Sequence, residues 1–173
     1  VNYPLPLTIE NNFLPQYSSI PKEILEKAKL LFLNYPNNPT GAGANDEFFK
    51  ETVAFAKENN IVVAHDFAYS DISFSGKSPS FLQTPGAKEV GIEIYTLSKT
   101  FNMAGFRIAF AVGNKEVISL LTGYSRASVG GTFGSVQDAA TYALLHSEKE
   151  RKQLRKLYKE RRDLVLSLLE EHN

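Results

Sequence analysis

The stretch TLSKTFNMAGFR, residues 96–107, sets an amine, Lys99, among hydroxyls and small side chains, with a guanidinium, Arg107, eight positions later. Taken alone, Lys99 reads as an ordinary solvated loop lysine. In a desolvated site, however, a lysine can lose its proton and attack a carbonyl. Arg107 offers a planar fork suited to phosphate, and Thr96 and Ser98 add hydroxyl donors nearby. Two more polar residues stand after apolar runs: Asn38 in YPNNPTG and Asp66 in HDFAYSD. A buried aspartate wants a cation or several donors. These groups together ask for a ligand with a carbonyl, a protonatable nitrogen and a phosphate, and pyridoxal phosphate has all three.

The elements that must position them are short apolar runs of strand length: LLFLN (30–34), IVVAHDF (61–67), IEIYTLS (92–98) and RIAFAVG (107–113). Between the first two, NDEFFKETVAFAKENN (45–60) repeats Phe49, Val53 and Ala56 at helical spacing, with Asn45, Asp46 and Glu47 suited to a helix start. Strand, helix, strand implies a βαβ unit and a mostly parallel sheet within a three-layer αβα domain of α/β class. In such sheets ligands bind beyond the carboxyl ends of the strands. Asn38, Asp66 and Lys99 each follow one of the first three strands, so chain order alone gathers them at one edge. The Ser, Gly and Pro content of 66–89 reads as a long surface excursion. Further helices are expected over about 22–29, 115–123, 135–146 and 148–170, the last with Leu154, Leu157, Tyr158, Val165 and Leu168 on one face. Residues 1–21, with four prolines, read as an extended entry segment.

The stretches NYPNNPTG (34–41), HDFAYSD (65–71) and TLSKTFNMAGFR (96–107), in this order, resemble the fold-type I, class I/II aminotransferases, among them the aspartate and LL-diaminopimelate enzymes. The similarity runs over nearly the whole chain, LPLTIENNFLP near its start included. The resemblance implies a pyridoxal-phosphate-binding large domain in which Lys99 forms the Schiff base with the cofactor. It implies that Asp66 pairs with the pyridine nitrogen and that Tyr69 and Asn38 hydrogen-bond the ring hydroxyl oxygen. It implies that Thr96, Ser98 and Arg107 hold the phosphate. Lys99, Asp66 and Tyr69 are thus the catalytic candidates, and all seven residues are cofactor-binding candidates. Each role fits the chemistry: a carboxylate keeps the ring nitrogen protonated, donors stabilise a phenolate, and a tethered amine shuttles a proton. Each residue also has a plainer use: a turn for Asp66 and Asn38, packing for Tyr69, a salt bridge for Arg107, backbone capping for Thr96 and Ser98. The prolines around Asn38 restrict its loop, and a cis Asn38–Pro39 bond is expected.

Bulk properties narrow the partners. The 19 basic and 19 acidic residues balance, so no global field argues for nucleic acid or an anionic membrane. No run is long enough to span a bilayer, and VNYPLPL lacks the features of a signal peptide. With no cysteine, disulfides and thiolate metal sites are excluded, which fits a cytoplasmic setting. No metal site is expected, because His146 and His172 match no ligand spacing. His65 sits beside Asp66 but points to the opposite face of its strand, which favours packing. The eight basic residues of 149–162 are interleaved with glutamates and read as a solvated helix face. The glycines of SVGGTFGS lack the strand-to-helix frame of a dinucleotide loop.

Parts of the family pattern are not apparent: an upstream Gly/Ser-rich phosphate turn, an upstream stacking aromatic, and a downstream arginine for the substrate carboxylate. The chain therefore reads as a fragment, 1–173, of the large domain, with a helix from about 148 to 173 leading towards an absent small domain. The expected partners are an amino acid, a 2-oxo acid and a second copy of the chain in a homodimer. The expected reaction is transamination. A related pyridoxal-phosphate C–S β-lyase, and a non-catalytic cofactor-binding or dimerisation fragment, remain as alternatives.

Overall fold

The computed structural model describes residues 2–74 and 76–172; the expected ends of the domain range, at 1 and 173, lie outside them. Four strands form one sheet in the order β1 (Leu30–Asn34), β2 (Val62–Asp66), β3 (Gly91–Thr96) and β4 (Ala109–Gly113). The first three are parallel, whereas β4 runs antiparallel to β3, so the sheet is mixed at one edge. Around it stand α1 (Lys22–Leu25), α2 (Asp46–Asn59), α3 (Ala87–Val90), α4 (Leu97–Thr100), α5 (Lys115–Ser128), α6 (Gly134–His146) and α7 (Glu148–Glu171). The class is the expected α/β.

The helix between β1 and β2 forms for local reasons. Asn45 caps it by accepting from the Phe48 N–H, Asp46 and Glu47 occupy its first turn, and Asn60 closes it in the left-handed conformation. Its apolar stripe, Phe48, Phe49, Val53 and Ala56, joins one buried cluster with Leu31, Leu33 and Val63 of the sheet and with Tyr35 just beyond β1. Strand β1 alternates as period-2 geometry requires: Leu31 and Leu33 are buried, Leu30 and Phe32 exposed. A smaller cluster joins Leu97 to Ala140 and Ala143 of α6, with Phe101, Met103 and Ile108 packed against it.

Three expectations are corrected. The 66–89 segment is not merely a surface excursion: Phe81 has no exposure and meets Phe49 edge-on at 5.7 Å. Its serines and prolines shape backbone around a core anchor that period-based reading could not isolate. The third strand ends at Thr96, and Lys99 lies on α4 rather than in a loop, because Thr96 caps a helical turn. The first helix stops at Leu25 instead of 29, while α5 runs on to Ser128.

Helix α7 buries none of its residues. Its basic side chains pair along the helix, Lys152 with Glu148 at 2.7 Å and Lys159 with Asp163 at 2.9 Å, as a solvated face does. Among the described residues no helix is long and apolar enough to cross a membrane.

Candidate active site

The parallel register sets Asn34, at the end of β1, directly beside Asp66, at the end of β2. The Asn34 amide uses that place twice. Its Nδ2 donates to the Asp66 carbonyl at 3.1 Å, and its Oδ1 accepts from the Asn38 N–H at 2.9 Å. One side chain thereby ties the second strand to the loop after the first. In that loop Tyr35–Pro36 and Asn38–Pro39 are both cis, the second as the sequence suggested. Asn38 is exposed, and its Nδ2 donates to the Tyr69 hydroxyl at 3.1 Å.

Asp66 is half-buried, and its Oδ1 accepts from the Ala68 N–H at 3.1 Å. Among the described residues its other carboxylate oxygen takes no hydrogen bond. Register places Asp66 opposite Ile94, so Thr96, two residues further along β3, extends from the same face of the sheet. The turn that begins there carries the amine. The Thr96 hydroxyl oxygen accepts from the Ser98 N–H at 3.2 Å. It also lies within hydrogen-bond reach of the Ser98 hydroxyl, at 2.9 Å, and of the Ile108 carbonyl, at 3.2 Å. A hydroxyl has one proton, so Thr96 is largely engaged within this turn.

Lys99 follows on α4 and is exposed, with its Nζ 5.7 Å from the centre of the Tyr69 ring. The desolvation expected of it is absent here, because nothing among the described residues covers the rim on which it stands. Amine, phenol and amide thus form one contiguous group, Lys99–Tyr69–Asn38. Arg107 makes its own local bond. Arg107 is exposed, adopts a left-handed backbone conformation, and donates from Nη1 to the Ala104 carbonyl at 3.0 Å. Four guanidinium N–H groups remain beyond that bond.

Two structural supports escape sequence reading. Asn34 is one; its signal was an amide at a strand end in register with an aspartate. The other is a node of Asp71, Tyr95 and Arg151. The Tyr95 hydroxyl donates to Asp71 Oδ2 at 2.6 Å, and Arg151 Nη1 lies 3.6 Å from the same oxygen. Arg151 also stacks over Phe101, 5.6 Å from the ring centre. The start of α7 is thereby fastened to the turn after Tyr69 and to the segment after Lys99. Burial, with the Asp71 carboxylate beside it, pushes the Tyr95 phenol up to about 12.

Comparison with known proteins finds relatives over most of this chain. Over 142 residues the chain is 58% identical to the L-glutamine--4-(methylsulfanyl)-2-oxobutanoate aminotransferase of Bacillus subtilis (strain 168), covering 82% of this chain and 36% of that protein. It is 49% identical to the LL-diaminopimelate aminotransferase of Aquifex aeolicus (strain VF5), covering 97% of this chain and 44% of the relative. The substrate-bound structure of BacF from Bacillus subtilis superposes with a TM-score of 0.94 at 48% identity, over 98% of this chain and 43% of BacF. The chain thus spans less than half the length of these relatives. The profile of the family described as aminotransferase class I and II matches residues 2–173, all three stretches around Asn38, Asp66 and Lys99 included, and the chain belongs to that family.

Proposed function

We propose that these residues form the cofactor-binding part of a pyridoxal-phosphate-dependent aminotransferase, which moves an amino group between an amino acid and a 2-oxo acid. The observation that carries the reading is the contact of amine, phenol and amide, Lys99–Tyr69–Asn38, at the sheet edge where, among the described residues, one Asp66 carboxylate oxygen takes no hydrogen bond. That donor set fits the cofactor: an amine for its aldehyde, a carboxylate for its ring N–H, two donors for its ring oxygen.

When bound, pyridoxal phosphate supplies an aldehyde to carry the amino group and a ring that withdraws electrons from the substrate Cα. Asp66 accepts from the ring nitrogen and keeps its proton in place. The Tyr69 hydroxyl and Asn38 Nδ2 donate to the ring oxygen. Lys99 Nζ, at the end of a flexible four-carbon stem beside Tyr69, would serve as the tethered base and acid for the substrate Cα proton. Ser98 and Arg107 hold the phosphate, with Thr96 fixing the turn that presents Ser98.

The same proposal extends to the assembly. Residues 1–173 are a fragment of the large domain, and α7 leads from it towards a small domain. Leu30 and Phe32 on β1, 59% and 60% exposed, and Phe110 and Val112 on β4 leave both sheet edges apolar. Such edges suit burial against further chain or a second copy, as a homodimer would provide. No observation favours the C–S β-lyase or the non-catalytic reading.

The test is borohydride reduction of the full-length protein with pyridoxal phosphate, followed by peptide mapping and by assay of amino transfer to 2-oxoglutarate. The label is expected on Lys99 and is lost in Lys99→Ala. A label on another lysine, or no transfer from any amino acid, refutes the proposal.

A further inference from the structure

His65 is a buried titratable residue that the chemistry above leaves idle. It has no exposure and leaves β2 on the face opposite Asp66. Both ring nitrogens meet acceptors. Nδ1 lies 3.0 Å from Glu93 Oε2, and Nε2 lies 2.9 Å from the Tyr35 carbonyl oxygen. A backbone carbonyl only accepts, so Nε2 carries a proton and donates it there. The carboxylate on the other side is itself buried and held by the Ser80 hydroxyl, at 2.9 Å and 3.1 Å from its two oxygens.

The rest of the surroundings is apolar. From α2 comes the ring of Phe49, and Phe67 and Phe81 complete the box, at 5.2, 5.2 and 6.3 Å from the imidazole. The Tyr35 phenol turns away and donates to the Phe13 carbonyl at 2.6 Å. Glu93 is the one charged group that reaches His65 among the described residues.

The Tyr35 carbonyl occupies a particular place. Backbone pairing of β1 with β2 ends at Asn34 and Asp66, and Pro36 has no N–H to continue it. A buried carbonyl there needs a side-chain donor, and His65 provides it. In doing so it fixes the peptide plane from which residues 36–41 depart. Three residues on, Asn38 meets the Tyr69 hydroxyl.

We propose that His65, held by Glu93 and Ser80, is a positioning residue that anchors the entry of the 36–41 loop and thereby sets the Asn38–Tyr69 hydrogen bond. The inference rests on the proposed use of that bond for the cofactor's ring oxygen. A double-mutant cycle in the full-length apo protein tests it, with pyridoxal phosphate dissociation constants and thermal midpoints as readouts. Asn38→Ala is expected to weaken cofactor binding about two- to tenfold, the net worth of one hydrogen bond. His65→Leu should do the same, yet add nothing in the Asn38→Ala background, while lowering the midpoint equally in both. A merely structural histidine would instead multiply the two affinity losses, and that result overturns the proposal. An affinity unchanged by Asn38→Ala overturns it too.

A second measurement needs no variant. In the unmodified apo protein, 15N-labelled histidine must show a proton on Nε2 of His65; a bare nitrogen there sinks the proposal whether or not His65→Leu folds. Because borohydride labelling of Lys99 reads the aminotransferase proposal independently, its success beside a non-coupled cycle rejects the positioning role alone.

Discussion

Replacing Asn34 by alanine tests how the site is held together. The side chain makes two hydrogen bonds, to the Asp66 carbonyl at 3.1 Å and from the Asn38 N–H at 2.9 Å. A typical intramolecular hydrogen bond contributes about 0.5–1.5 kcal/mol net, so the pair is worth about 1–3 kcal/mol. Asn34 is half-buried, and water can replace part of what is lost. The lower part of that range, about 1–2 kcal/mol, is therefore expected. The two bonds do different work. The one to Asp66 joins two strands and shows in stability. The one from Asn38 holds the loop and shows in cofactor affinity, where about 1 kcal/mol is about a fivefold weaker dissociation constant. Urea unfolding of apo protein reads the first, and a pyridoxal phosphate titration reads the second. A variant that unfolds at the wild-type urea concentration and binds the cofactor as tightly would show that Asn34 does not tie Asp66 and Asn38 together.

Other consequences follow from burial and charge. Phe81→Ala empties a site with no exposure, packed on Phe49, and should cost about 3–5 kcal/mol in urea unfolding; a loss below about 1 kcal/mol would return residues 66–89 to a surface role. Burial raises the phenols of Tyr35 and Tyr95 to about 12, and that of Tyr17 is also raised. An unfolded phenol titrates near 10, so the folded protein holds these protons more tightly. Their stabilisation is complete below pH about 10 and is lost as pH climbs towards about 12. Urea midpoints measured from pH 9 to 12 should fall over that window, less steeply in Tyr95→Phe; a level profile would contradict the burial argument.

Much of this chain could be read from its residues in order. Apolar runs of strand length alternating with a helical period fix an α/β sheet, because the period of burial is a local property of backbone geometry. The cap at Asn45 and the opposite facing of His65 and Asp66 follow from the same local rules. Chain order also placed Asn38, Asp66 and Lys99 past successive strands, and in parallel pairing those positions converge. What required the tertiary structure was everything set by contact between distant residues. The antiparallel course of β4 beside β3 is one such feature. Phe81 became core because Phe49 and His65 leave a space at that depth, which no pattern within 66–89 records. That the Thr96 hydroxyl serves the turn that displays Lys99, and that Arg107 bonds its own loop, likewise shows only in three dimensions. Asn34 and His65 gained their roles through register and through a Tyr35 carbonyl that lies beyond the last β1–β2 pair, where the Phe67 N–H turns to Ile94 instead. Sequence spacing determines which groups share an edge, whereas hydrogen-bond geometry across strands decides which of them meet, because direction and distance are properties of the packed chain alone.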